Sequence, residues 1–217
     1  MFFPYKDDNP RVLIPYVTYG LVGLNLFVFL FQFSMGIKDP EAEAIFIYTF
    51  GLIPADFSIL TMFTSLFLHG GFAHIMGNMW FLWIFGDNVE STLGHVRYAL
   101  FYILCGVAAS LCQVLMNPGS EIPMVGASGA IAGVLGLYMI RFPQARVHVF
   151  IFIFIFFTTI RVPAIVVLGF WFFNQLTNGL GSLGLNTTGG VAWFAHVGGF
   201  ITGIMLHQAF KLIHVDH

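Results

Sequence analysis

Charged side chains are so scarce in this chain that they decide its solvent. Eight lysines and arginines and ten aspartates and glutamates are spread over 217 residues, about a third of the density expected of a water-soluble domain. Hydrophobic residues supply 58% of the chain and phenylalanine alone 27 positions, so the remainder cannot assemble an ordinary polar surface. The chain reads as an all-α membrane protein. Spans of about 20 residues, each crossing roughly 30 Å of hydrocarbon, would use most of it and leave short loops. A single bundle over residues 1–217 fits, with short tails at 1–11 and 211–217, and leaves no room for a second, soluble domain. A net charge of -2 without a Lys/Arg cluster argues against nucleic acid as a partner. Cys105 and Cys112 fall on one helix, about 10 Å apart, too far to bridge.

The first apolar run, Val12 to Met35, has no small-residue cleavage pattern behind it and reads as a retained helix. Gly36 to Gly71 mixes charges with short apolar pieces and reads as a long, partly membrane-embedded loop. Phe72 to Val89, Tyr98 to Met116, Val125 to Ile140, Val162 to Leu176 and Val191 to Phe210 are the remaining candidate spans. Val147 to Ile160 could be a strand, an interfacial segment or a short span. If it stays on the face where it begins, there are six spans, and Lys6, Arg11, Arg97, Arg141, Arg146, Arg161 and Lys211 share one side, opposite only Lys38. That asymmetry places both termini in the cytoplasm, in a plasma or cell inner membrane.

Polar side chains inside spans are costly and therefore mark function. Three sets stand out: His74 and Asn78, one turn apart on the second span with His69 just before it; Gly126-Ala127-Ser128-Gly129 on the fourth; and His196 with Gly199 on the sixth. Counting from the inner helix ends, Ser128 stands about 20 Å up, His196 about 22 Å and Asn78 about 18 Å. Residues far apart in the chain thus reach one layer, toward the outer face. Gly126, Gly129, Gly133 and Gly136 form a stripe on the fourth span, and Gly199 and Gly203 share a face with His196. Such small residues let helices approach closely in lipid, which would bring His196 within reach of Ser128.

A serine becomes a nucleophile when a base takes its proton, and histidine is suited to that near neutral pH. No carboxylate lies at the depth of His196, so the expected arrangement is a Ser128–His196 dyad without metal or cofactor. His74, Asn78 and the Ser128 backbone N–H are candidate oxyanion donors. Other readings use the same residues. A serine in a membrane helix is ordinarily a packing residue, and a buried His or Asn can simply link helices. His69, His74 and His196 could ligate zinc, although no His-Glu-x-x-His pair accompanies them. A transporter would line a path with these groups, but the halves show no inverted repeat. A noncatalytic protein that binds transmembrane clients is the remaining alternative.

At these residues the sequence resembles the rhomboid intramembrane serine proteases, from about Thr61 to Gly203. His74-xxx-Asn78 is similar to the family's oxyanion motif, Gly126-Ala-Ser128-Gly129 to its nucleophile motif, and His196-xx-Gly199-xxx-Gly203 to its base motif. Gly86-xxx-Glu90-xxx-Gly94 resembles the signature that closes the second span. The resemblance implies a six-helix core, Ser128 as nucleophile, His196 as base, an oxyanion hole from His74, Asn78 and the Ser128 amide, and cleavage of transmembrane substrates near the outer membrane face. It also implies a lateral gate at the fifth span, where Trp171 and Phe172 offer bulk without a small-residue stripe and the glycine-rich stretch Gly179 to Gly190 follows. Two positions depart from the pattern. The Trp-Arg pair many members carry in the first long loop is absent, and Ala132 stands where some place a tyrosine against the histidine, so either another aromatic holds that ring or it is less constrained.

Overall fold

The computed structural model describes residues 2–153, 156–183 and 191–210. Six long helices dominate them: α1 (Tyr16–Lys38), α4 (Phe72–Leu93), α5 (His95–Met116), α6 (Ser128–Arg141), α7 (Ala164–Ser182) and α8 (Trp193–Ala209). Two shorter ones, α2 (Pro40–Phe50) and α3 (Thr61–Thr64), lie in the long connection between α1 and α4. Local chemistry explains α2: Asp39 caps it by accepting from the Glu41 and Ala42 amides, Pro40 presets the first turn, and Glu41 and Glu43 favour the positive end of the dipole.

By length and composition, α1 and α5 could each cross a membrane alone, while α6 is apolar but shorter. α4 carries a second polar cluster, Asp87 to Thr92, at the end where it meets α1, and Glu90 shows why. The Glu90 carboxylate, fully buried, accepts from the amides of Val17 (2.9 Å) and Thr18 (2.8 Å) and from the Thr18 hydroxyl (2.7 Å), and contacts His95 Nδ1 at 2.6 Å. The first turn of α1, whose Pro15 N-cap offers no side-chain acceptor, is thus capped by a carboxylate from another helix. Gly94, at φ 75°, takes the chain directly from α4 into α5.

The centre of the bundle is α6 held between α5 and α8. A Cβ added at Gly203 would overlap the carbonyl oxygen of Gly133, and one at Gly136 that of Phe200. Cys105 of α5 fills the groove at Gly133, and Cys112 that at Gly198. Both cysteines are unbridged.

Within this mostly helical protein, the run left open between strand, interfacial segment and short span is a strand pair. Arg146–Ile153 (β2) and Phe156–Pro163 (β3) form an antiparallel hairpin, and the N-terminal segment Phe2–Asp7 (β1) pairs with β2 to complete a sheet of order β1-β2-β3. The expected tail at 1–11 is therefore largely a strand. The Phe/Ile run of 147–160 is apolar on both faces because it is covered unevenly: Val147 and Val149 join the helical core, while Phe150, Phe157 and Ile160 stay exposed. β1 lies along α4, its Pro4 carbonyl accepting from Trp80 Nε1 (2.7 Å) and Asp7 from Asn88 Nδ2 (3.1 Å), and Arg11 beyond it pairs with Asp87 (3.2 Å). Asp7 also accepts from the Tyr138 hydroxyl of α6 (2.5 Å). Burial outweighs that hydrogen bond and pushes the Asp7 carboxyl up to about 6, whereas His148 holds exposed Asp8 below its ordinary range. The expected tail at 211–217, with Lys211, lies outside the described residues.

Candidate active site

Ser128 is the first residue of α6 and His196 lies one turn into α8. His196 Nε2 stands 2.8 Å from Ser128 Oγ. The approach follows from glycine: any Cβ at Gly199 would overlap the Gly129 carbonyl oxygen, so the backbones touch within a turn of both side chains. From α5, Gln113 Oε1 accepts from the Ala195 amide at 3.2 Å, tying down the start of α8.

His74 and Asn78 face the loop that delivers Ser128. Gly126 belongs to that loop and not to the helical stripe where the spacing predicts it, because α6 begins two residues later. It adopts φ 121°, a region that penalises a side chain. A Cβ there would lie 2.7 Å from His74 Nε2 and 3.5 Å from Asn78 Nδ2. His74 Nδ1 accepts from the Gly70 amide at 3.3 Å, which leaves its Nε2 bearing the proton, beside Gly126. Asn78 Nδ2 is buried without a hydrogen-bond partner among the described residues. Two N–H donors thus converge beside the Ser128 loop, and the loop is pinned from the other side, where Gly126 N donates to Ser65 O (2.9 Å) and Leu52 bridges Met124.

His69 is fully buried edge-on to His74, ring centroids 5.1 Å apart. Gln32 of α1 holds its backbone, donating to the His69 carbonyl at 2.7 Å. No group of three or more His, Cys, Asp or Glu suited to a metal ion occurs among the described residues, and both ring nitrogens of His196 are engaged.

The second of those engagements is absent from any sequence-based expectation. Gln175 of α7 places Oε1 2.7 Å from His196 Nδ1. A glutamine inside an apolar span is the signal that could have found it. Trp171, one turn earlier, lies 5.8 Å from the imidazole, and Trp193 stands edge-on at 6.4 Å. Trp171 and Trp193 therefore flank the ring that Ala132 leaves without a tyrosine. Phe172 points elsewhere and stacks on Phe200 at 4.6 Å. Of the glycine-rich stretch Gly179 to Gly190, residues 184–190 lie outside the described residues.

With this geometry in place, residues 56–211 match the family model described as the Rhomboid domain. The chain belongs to the rhomboid family. Members are integral membrane proteins, and the family contains serine intramembrane proteases as well as inactive proteins. This rhomboid is 39% identical over 145 residues to RHOMBOID-like protein 5 of Arabidopsis thaliana, covering 67% of this chain and 42% of that one. It is 30% identical over 154 residues to Rhomboid protein 1, mitochondrial, of Saccharomyces cerevisiae, covering 68% and 42%. Rhomboid protease GluP of Bacillus subtilis is 29% identical over 200 residues, 91% of this chain and 35% of the relative. The chain spans less than half the length of these relatives.

Proposed function

We propose that this rhomboid is an intramembrane serine endopeptidase that cleaves transmembrane segments of membrane-protein substrates near the outer membrane face. Ser128 is the nucleophile and His196 the base. His196 Nε2 takes the hydroxyl proton as Oγ attacks the scissile carbonyl, and the oxyanion is met by His74, Asn78 and the Ser128 amide at the N-terminus of α6. The protonated His196 then delivers its proton to the leaving amine, and water, activated by the same base, releases the acyl group. The observation that carries the reading is the 2.8 Å contact between His196 Nε2 and Ser128 Oγ, supported by the Asn78 amide donor near Gly126, which has no partner among the described residues.

The six long helices are read as six spans with both termini in the cytoplasm of a plasma or cell inner membrane, and the 36–71 connection as partly embedded from the outer face. No cofactor or metal enters the chemistry. The noncatalytic alternative, a protein that binds transmembrane clients, needs neither the Ser–His contact nor a second partner on the imidazole.

The test is incubation of the purified protein in bilayers with a single-span test substrate. The intact protein should cleave it and Ser128→Ala should not. Equal cleavage by the two, or none by either against a panel of helical and Gly-containing spans, would replace this reading with the client-binding one.

A further inference from the structure

The His196 ring has two partners, and the second one decides what the first can do. An amide oxygen only accepts hydrogen bonds, so the 2.7 Å contact of Gln175 Oε1 with Nδ1 requires the proton of a neutral imidazole to sit on Nδ1. Nε2 is then left with a lone pair, 2.8 Å from the Ser128 hydroxyl, the arrangement in which it can accept the serine proton. The opposite tautomer would present an N–H to the hydroxyl and could not act as a base.

Gln175 is itself well fixed. It is buried, and Trp171, four residues earlier on the same face of α7, lies against the same imidazole. A carboxylate in this place would have to be desolvated, which is costly at membrane depth; an amide orients the ring without a charge. When Nε2 takes up a proton, the Nδ1–H donated to Gln175 becomes a charge-assisted bond and strengthens as the imidazolium forms.

We propose that Gln175 is a positioning residue that fixes His196 as its Nδ1–H tautomer, so that the site works as a Ser–His–Gln array. The inference rests on the reading of Ser128 and His196 as nucleophile and base. A bond that merely linked α7 to α8 would contribute to stability and leave the tautomer and the chemical step unaffected, which separates the two roles.

The experiment uses the full chain in detergent micelles with ring-15N histidine, the His196 signals being assigned by their loss in His196→Ala. The intact protein should show a protonated Nδ1 and an unprotonated Nε2 at His196, and Gln175→Leu a mixture of tautomers. In Gln175→Leu, kcat for transmembrane-substrate cleavage and the rate of Ser128 labelling by a fluorophosphonate should both fall roughly tenfold or more, part of the contribution of a well-placed base, with KM changed less than about twofold. Gln175→Glu, which keeps an acceptor at the same position, should restore most of the rate. A protonated Nε2 in the intact protein overturns the proposal, and so does a Gln175→Leu protein that labels and cleaves at the original rate. The spectrum of the intact protein needs no variant, so a poorly folding Leu substitution leaves the proposal testable. Absence of labelling in the intact protein would instead remove the nucleophile reading, while the spectrum would still report which nitrogen Gln175 holds.

Discussion

Gly199 of α8 faces the carbonyl oxygen of Gly129 on α6 with no space for a β-carbon between them. The contact adjoins Ser128 on one helix and lies one turn after His196 on the other, so the distance between the helix backbones sets the distance between the two reactive side chains. Gly199→Ala must push α8 away. The expected cost in stability is about 1–3 kcal/mol, as for other overpacked contacts. The cost in reactivity should be larger in proportion, because a displacement of about 1 Å at a reacting pair can remove roughly a hundredfold in rate. Fluorophosphonate labelling should therefore fall at least about tenfold under conditions where the variant is folded. Gly20→Ala is the control, since a Cβ there meets nothing within 4 Å; it should leave labelling unchanged. Normal labelling in Gly199→Ala would show that the glycine contact does not set the dyad.

Asn78 offers a test in which activity and stability part company. Its Nδ2 is buried without a partner among the described residues, so truncation breaks no hydrogen bond of that group to them and relieves a desolvated donor. Asn78→Ala should lower turnover by roughly ten- to a thousandfold, the range for loss of one oxyanion donor, with KM little affected and the thermal midpoint unchanged or raised. Unchanged turnover together with a clear loss of stability would make Asn78 a helix link instead.

How far the sequence could be read depended on whether a residue's role is local. The shared depth of Ser128, His196 and Asn78 could be counted along their own helices, because a polar group inside an apolar run announces itself and helical rise converts position into height. Gln175 lies in just such a run, but its role exists only once α7 packs beside α8 and brings the amide to His196 Nδ1. The hairpin was less accessible. A Phe/Ile run has neither the period of a strand nor that of a helix, and β1 holds a proline and charges and finds its partner some 140 residues away in sequence. Glu90 belongs to a recognisable spacing, yet its work is to cap α1, a relationship that exists only once α1 and α4 are packed. Spacing places Gly126 on a helix, yet it belongs to a loop, where its positive φ and the nearness of His74 give the glycine a different reason.

Asp7 makes stability depend on pH in a direction opposite to most carboxylates. At the end of β1, buried against Asn88 of α4 and Tyr138 of α6 and near Asp87, its carboxyl is pushed from 3.8 up to about 6 by burial in the folded protein. Between those values the folded protein holds a proton that the unfolded chain has released, so this contribution is complete below about pH 4 and is lost as pH rises through about 6. Asp7→Asn keeps an acceptor for Tyr138 and cannot ionise. Relative to the original protein it should be more stable at pH 7.5, with the advantage shrinking toward pH 4. Thermal midpoints of the two proteins in detergent between pH 4 and 8 measure the difference, in which other titrating groups cancel. Parallel curves would mean that β1 does not bury the Asp7 carboxylate.

Trp171 and Phe172 both meet Phe200 of α8, but Trp171 also lies against His196, which divides the gate proposal between them. Phe172 stacks on Phe200, interplanar angle 21°, four residues after His196 on α8, whereas Trp171 reaches both Phe200 and the His196 ring. Loosening α7 at Phe172 should ease lateral access and leave the base in position. Loosening it at Trp171 should ease access and also free the ring that Gln175 and Trp171 hold from the same helix face. Phe172→Val is thus expected to speed cleavage of a transmembrane substrate in bilayers while labelling by a small fluorophosphonate, which needs no lateral opening, keeps its rate. Trp171→Val should label more slowly and gain less in cleavage, or lose. A Gly placed in the substrate helix near the outer face lowers the cost of unwinding by about 1 kcal/mol, and it should raise the rate for the intact protein more than for Phe172→Val if opening and unwinding limit in sequence. If Phe172→Val cleaves no faster than the intact protein against either substrate, α7 does not gate access and the substrate must approach elsewhere on the bundle.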